Sequence, residues 1–344
     1  MKQLLAYCLS IILCVSFTGC MENYLDLYPE DKITSASFPE NESDIKLLLN
    51  GVYAQLREKE VYNQGLFGFG ITDGATPNAF NWGTDEVFNK LGAGRLSSSD
   101  GGVVTYRWKR CYEIISRANY LLACMDLVDL SEEAKAKYSG ETHFLRGLAY
   151  SVLAETYGGV PIILTNISTE EARSLKRASL EETWQQALDD YEVAITNLGV
   201  DAPEPGRATK GAALGMKMRA YLYQGKYKEV LACVEQIDAL KKYGLFHSYE
   251  GLFDPANENN KEVLFDIQYI EGENSQGSYI DQYCGTGTGS WTRGSRYIPT
   301  DDLVAAYETI DGSPVDPENP YENRDPRLGL SLIHISEPTR HLRI

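Results

Sequence analysis

Positive charge is in short supply in this 344-residue chain. Its 32 Lys and Arg stand against 49 Asp and Glu, for a net charge of −17, and no basic stripe or cluster offsets the excess. Such a surface repels a phosphate backbone, so no nucleic acid is expected as a partner. Histidine is scarce too, at four residues. His334 and His341 fall near the end, and neither His143 nor His247 stands beside a nucleophile and an acid. Gly-x-Ser-x-Gly and His-Glu-x-x-His are both absent. The seven cysteines include no Cys-x-x-Cys pair, which leaves a metal or redox centre unsupported. Gly285-Thr286-Gly287-Thr288-Gly289 is not read as a phosphate loop, because no strand feeds into it and no Lys-Ser/Thr follows. No cofactor is expected, and an enzyme reading has little to stand on.

Long apolar runs are also missing: the N-terminal one, Leu4 to Val15, is too short to span a bilayer well. Lys2 precedes it and Ser16-Phe17-Thr18-Gly19-Cys20 follows, the charged, apolar and small-residue order of a secretory signal. Gly19-Cys20 resembles a lipoprotein box, although Phe17 is bulkier than the usual residue there. Residues 1–19 are therefore read as a removed signal and Cys20 as the acylated first residue, with the lipid anchor as the sole membrane attachment. Cys8 and Cys14 would leave with the signal. Cys111, Cys124, Cys233 and Cys284 would remain in a compartment that permits disulfides. Cys111 and Cys124 lie on one predicted helix, about 20 Å apart at 1.5 Å per residue, and cannot bridge each other. Cys111 and Cys233 fall on apolar stripes and read as buried thiols.

What the chain does contain is a 43% share of apolar residues, enough for a core, arranged mostly at helical spacing. Trp108, Cys111, Tyr112, Ile115, Ala118 and Leu122 share one face of a predicted helix. Ser131-Glu132-Glu133 opens a second, whose stripe is Leu145, Leu148, Ala149, Val152 and Thr156, and Gly158-Gly159 with Pro161 ends it. Few residues separate the two, so they fold back as an antiparallel hairpin. An earlier helix starts near Ser43-Asp44 and carries Ile45, Leu48, Leu49, Val52 and Leu56. Ser179-Leu180-Glu181-Glu182 is a capping box opening a helix that buries Trp184, Leu188, Tyr191, Ile195 and Leu198. Ala208 to Gln224 and Tyr227 to Leu240 form another hairpin about Gly225, with Tyr221, Leu222, Tyr227, Val230, Val234 and Ile237 at tetratricopeptide-like offsets. Val263 to Ile267 reads as a short strand. Acid pairs such as Asp189-Asp190 and Asp301-Asp302 read as solvated faces or caps.

Arg107-Trp108, Tyr112, Ile115, Ala118-Asn119, Gly140-Glu141, Phe144-Leu145-Arg146, Tyr150 and Tyr157-Gly158-Gly159-Val160-Pro161 together resemble the core signature of the SusD/RagB family of nutrient-binding outer-membrane lipoproteins. Tyr24-Leu25-Asp26-Leu27, Arg207, Tyr221-Leu222-Tyr223 and Asn323-Arg324-Asp325-Pro326-Arg327 extend the resemblance, which runs over roughly residues 20–330. It implies a mostly α fold of tetratricopeptide-like helix pairs with long loops and a few short strands. It also implies an oligosaccharide, or another nutrient such as a peptide, as ligand, a SusC-like TonB-dependent transporter as partner, and an outer-membrane location facing the cell exterior. Residues 331–344, beginning Ser331-Leu332-Ile333-His334-Ile335-Ser336, resemble translated sequencing adapter. The C-terminal part that the family adds is not seen, so the chain is expected to be a truncated member whose hairpins expose an apolar face.

Two long loops hold the aromatics that do not recur at helical spacing. In 65–102, Trp82 is flanked by Asn81 and Gly83, and Thr72-Asp73-Gly74 falls where the family carries an acidic loop motif. In 272–299 lie Tyr283, Trp291 and Arg293. A sugar needs an aromatic plane beside planar hydrogen-bonding groups, so Trp82, Asn81, Asp73, Trp291, Arg293 and Tyr283 are the candidate ligand residues, and the two loops are expected to meet on one face. A secreted helical-repeat scaffold for protein partners and a glycoside hydrolase are the competing readings.

Overall fold

The structure, a computed structural model, describes residues 38–57, 73–81, 86–97, 99–269 and 297–330. Its first helix, α1, spans Glu42–Tyr53 and continues as a 3-10 turn, Ala54–Arg57. Asn41 caps it by accepting from the Asp44 N–H at 3.2 Å. The cap thus lies just ahead of the Ser43 start that the sequence suggests, since an Asn at the N-cap is as good an acceptor as Ser. Ile45, Leu49, Val52 and Leu56 are fully buried, as their spacing predicts. After a short α2 (Glu86–Gly92) comes the long hairpin of α3 (Val103–Cys124) and α4 (Glu132–Tyr157). Ser131 caps α4, and Gly158 ends it at φ 75°, a left-handed conformation that glycine adopts without strain. The hairpin is antiparallel: Tyr157, at the end of α4, donates to the Val104 carbonyl at the start of α3 (2.6 Å) and its ring meets Trp108 edge-on at 5.2 Å.

α4 is the central element of the fold. Leu145, Leu148, Ala149 and Val152 are buried as expected, but so are Gly140, Thr142, Phe144, Gly147, Tyr150, Ser151 and Leu153, while Thr156 is exposed. A single stripe was too narrow a reading, because α4 lies between α3 and the helix α6 (Leu180–Asn197) and is covered on both flanks. Gly147 permits the second approach: a Cβ there would sit 3.0 Å from Asp190 Cβ and from the Tyr191 ring. α6 carries the predicted capping box, Ser179 with Glu182, and buries Trp184, Leu188 and Tyr191. A six-residue helix, α5 (Thr169–Ser174), has a second capping box, Ser168 with Glu171.

α7 (Lys210–Tyr223) packs on α6 and turns through Gly225 into α8 (Tyr227–Ala239). The helix pairs α3–α4 and α7–α8, with α6 between them, form the stacked all-helical body. Cys111, Cys124 and Cys233 are buried free thiols; Cys284 lies outside the described residues. On α8 only Cys233 is fully buried, and Tyr227, Leu231 and Val234 are exposed, as are Leu222 and Tyr223 of α7.

Residues 263–267 form an irregular segment with a bend at Leu264 and, among the described residues, join no ladder, contrary to the expected strand. Phe265 packs edge-on against Phe144 at 5.0 Å, so apolar packing rather than a strand ladder seats the segment on α4. Among the described residues the strands are β1 (Ala79–Asn81) and β2 (Tyr297–Pro299), followed by the short helices α9 (Asp301–Ala306) and α10 (Pro326–Leu328).

Candidate functional site

β1 and β2 pair antiparallel with Ala79 opposite Pro299, Phe80 opposite Ile298 and Asn81 opposite Tyr297. One strand belongs to each of the two long loops, so the loops are hydrogen-bonded to each other here. Thr300 tightens the join: its N–H donates to the Asn78 carbonyl (3.0 Å), its hydroxyl donates to the Pro77 carbonyl (2.6 Å), and the same oxygen caps α9 by accepting from the Leu303 N–H (3.2 Å). Side chains alternate across a strand, so the cross-strand pair Phe80 and Ile298 shares one face. That face is open, with Phe80 55% and Ile298 41% exposed. Asp73 is also exposed, at the start of the turn leading to β1, where its carbonyl accepts from the N–H (2.9 Å) and hydroxyl (2.8 Å) of Thr76.

Of the candidate ligand residues, Asp73 and the backbone of Asn81 are therefore placed close to this ribbon. Trp82, Tyr283, Trp291, Arg293 and the candidate anchor Cys20 lie outside the described residues. Phe80, one of the aromatics of the 65–102 loop, was not among the candidate ligand residues. Its one visible signal is an aromatic residue next to Asn81 in a loop, and the strand that exposes it is made by a partner more than two hundred residues away.

The signature residues of the central hairpin have a different role, because they are buried and bonded to the scaffold. Arg146 donates to Asp190 through Nε (3.1 Å) and NH2 (2.7 Å) and to Asn119 Oδ1 through NH1 (2.7 Å). Asn119 in turn donates to the Ile163 carbonyl at 3.0 Å. Asp190 is thus no solvated acid, contrary to the reading of Asp189-Asp190 as a surface pair; Asp189 does face solvent. The Tyr112 hydroxyl donates to the Pro161 carbonyl (2.7 Å), and Arg177 donates to the Gly159 and Tyr157 carbonyls, at 2.6 Å each. Gly159 admits no side chain, since a Cβ would lie 2.0 Å from the Ala178 carbonyl oxygen.

A second buried polar group joins α1, α4 and the loop before α7. The Tyr53 hydroxyl donates to Glu141 Oε2 (2.8 Å) and accepts from the Ala208 N–H (2.9 Å). The Arg207 guanidinium lies over the Tyr53 ring at 4.9 Å and 3.5 Å from the same carboxylate. Burial raises the Glu141 carboxyl above its ordinary range, against the Tyr53 hydrogen bond and the Arg207 charge, which lower it. Burial also depresses His143, which is half-buried with Nδ1 2.8 Å from the Ser139 carbonyl. Among the described residues no cluster of His, Cys, Asp or Glu could hold a metal ion, and no helix is long and apolar enough to cross a membrane.

A stacked helix-pair body with its chemistry-bearing side chains locked inside, and long loops tied together outside, defines a class of helical-repeat scaffold that presents its loops. The comparisons place the chain within that class: it belongs to the SusD-like family, whose model, described as "Starch-binding associating with outer membrane", matches residues 23–222. It is 26% identical to SusD-like protein P25 of Formosa agariphila over 87% of this chain and 58% of that one. It is 24% identical to a SusD-like protein of Bacteroides ovatus over 74% and 48%. A SusD-like carbohydrate binding protein from Bacteroides fragilis superposes with a TM-score of 0.73 at 27% identity, covering 84% of this chain and 59% of that one. A laminarin-binding SusD-like protein gives 0.60 at 23% identity, over 66% and 51%. The chain therefore spans about half to three-fifths of the length of these relatives.

Proposed function

We propose that this protein is a surface lipoprotein that binds oligosaccharide where its two long loops meet and passes it to a TonB-dependent outer-membrane transporter. The observation that carries the reading is the β1–β2 ribbon: it pairs residues 79–81 with residues 297–299, and it presents the exposed face of Phe80. Aromatic faces stack on sugar C–H surfaces, and Asp73, Asn81, Arg293 and Tyr283 supply polar partners nearby in sequence. Two solved relatives named as carbohydrate-binding and laminarin-binding make a glycan the ligand class of choice. Cys20 is the lipid attachment point of this reading, residues 1–19 its signal, and residues 331–344 lie outside its working part.

Calorimetric titration with oligosaccharides tests it. Trp82→Ala and Trp291→Ala should each cost about 1–3 kcal/mol of affinity, the range of a truncated hot spot, without lowering the melting temperature. In cells the wild type should fractionate with membranes and Cys20→Ala should not. Variants that bind normally but melt early would move the site elsewhere. Release of reducing sugar would favour a hydrolase, and affinity for a protein partner alone would favour a scaffold.

A further inference from the structure

A cavity that shares no residue with the ribbon opens between the end of α1 and the irregular 263–268 segment, with a volume of about 320 Å³. Most charges around it are committed to one another. Glu204 pairs with Lys46 (2.9 Å) and with Arg207 (3.5 Å), and Arg207 also reaches Glu141 (3.5 Å) and donates to Asn50 Oδ1 (2.5 Å). Two charged groups on its wall are not committed. Arg57, at the end of the 3-10 turn, and Asp266, on the facing segment, have neither a hydrogen bond nor an ion pair among the described residues, and they do not pair with each other. The one visible action of Arg57 is on the Tyr269 phenol, where its charge opposes the rise that burial imposes.

That arrangement selects a ligand class. A plain anion would satisfy Arg57 and be repelled by Asp266, and a plain cation would do the reverse. A neutral ring of hydroxyls, each able to donate and to accept, satisfies both. The rings of Tyr53 and Phe265 on the wall give an apolar surface for the sugar C–H face. The volume is at the lower end of small-molecule clefts, about 300–1,000 Å³, which suits one sugar ring rather than a chain. Building on the glycan-binding reading above, we propose that this cavity is a second sugar pocket, separate from the ribbon, in which Arg57 donates to and Asp266 accepts from the hydroxyls of a single neutral sugar residue.

The test uses the full chain and a panel of α-glucan, β-glucan and hemicellulose oligosaccharides, titrated against wild type, Arg57→Gln, Asp266→Asn and Trp82→Ala. For the oligosaccharide that the wild type binds, each pocket variant should weaken affinity on the order of 10-fold, about one hydrogen bond to a charged group. Melting temperatures should be unchanged and the losses additive with that of Trp82→Ala. A crystal of the complex should place one ring within hydrogen-bond reach of both side chains, and this decides the matter if the variants melt early. Pocket variants that bind like wild type while Trp82→Ala does not overturn the pocket and leave the ribbon reading intact. A wild type that binds nothing in the panel overturns both. Displacement of the sugar from this cavity by a free amino acid, which carries both charges, overturns the neutral-sugar assignment.

Discussion

Arg146 and its partners show what the motif residues of the long hairpin do. Both side chains of the Arg146–Asp190 pair are almost fully buried, so removing one charge strands the other in a medium that cannot solvate it. Breaking such a pair costs about 3–5 kcal/mol. Arg146→Ala should therefore lower the unfolding free energy by roughly that amount in denaturant titration, and Arg146→Met with Asp190→Leu should recover most of it. A single variant as stable as wild type would show the pair to be solvated after all. Glu141 makes a pH-dependent prediction. Burial raises its folded-state pKa above the unfolded value, so the folded state holds its proton more tightly. Its contribution is fully present below the unfolded pKa and is lost as pH rises through the folded one. The stability of wild type minus that of Glu141→Gln should then fall as pH rises from about 4 through the raised folded value. A difference that stays flat or grows contradicts the assignment. Neither role was legible in the sequence. Arg146, Glu141 and Asn119 were visible as part of a signature, but their partners come from α6, from α1 and from the loop before α7. An acid such as Asp190, beside exposed Asp189, has the same local pattern as a solvated pair.

Helix ends were far more legible, because a cap is a local device. Ser131 and Ser179 were identified as start signals from the residues that follow them, and both accept the expected backbone N–H. The capping box at Ser168 was missed, since α5 buries nothing and so has no apolar period to draw attention to it. The two boxes should differ when broken. Ser179→Ala removes a cap from a helix whose face is in the core, and should cost about 1 kcal/mol of global stability. Ser168→Ala acts on a six-residue exposed helix and should raise local hydrogen exchange at 169–174 while leaving the melting temperature alone. An equal loss of melting temperature in both would mean that α5 unfolds together with the body. Strands were the least legible elements. The β-like run at 263–267 has the composition of a strand but no partner among the described residues, whereas β1 and β2 are three-residue strands in loops, and their pairing depends on the return of a distant segment.

At the scale of the whole molecule, the last long helix pair presents an apolar face among the described residues. Tyr227, Leu231 and Val234 fall at i, i+4 and i+7 of α8, one side of the helix, and Tyr227 and Leu231 are 67% and 63% exposed. Stacked helix pairs need a neighbour or a polar cap at each end, and the expectation that the hairpins expose such a face came from that requirement. Two terms oppose each other when molecules meet. The net charge of −17 repels copies at a distance and favours solubility. At physiological salt, however, that repulsion is screened beyond about 8 Å, while a contiguous apolar patch acts at contact, at about 25 cal/mol for each Å² covered. The patch should therefore dominate at high ionic strength, and self-association should increase with salt. Tyr227→Gln with Leu231→Gln should keep the protein monodisperse in light scattering at salt concentrations where wild type associates, with no loss of melting temperature, since neither side chain contributes to the core. If the double variant melts early, the face is part of the folded core. If wild type instead associates more readily as salt is lowered, charge rather than the apolar face governs its contacts.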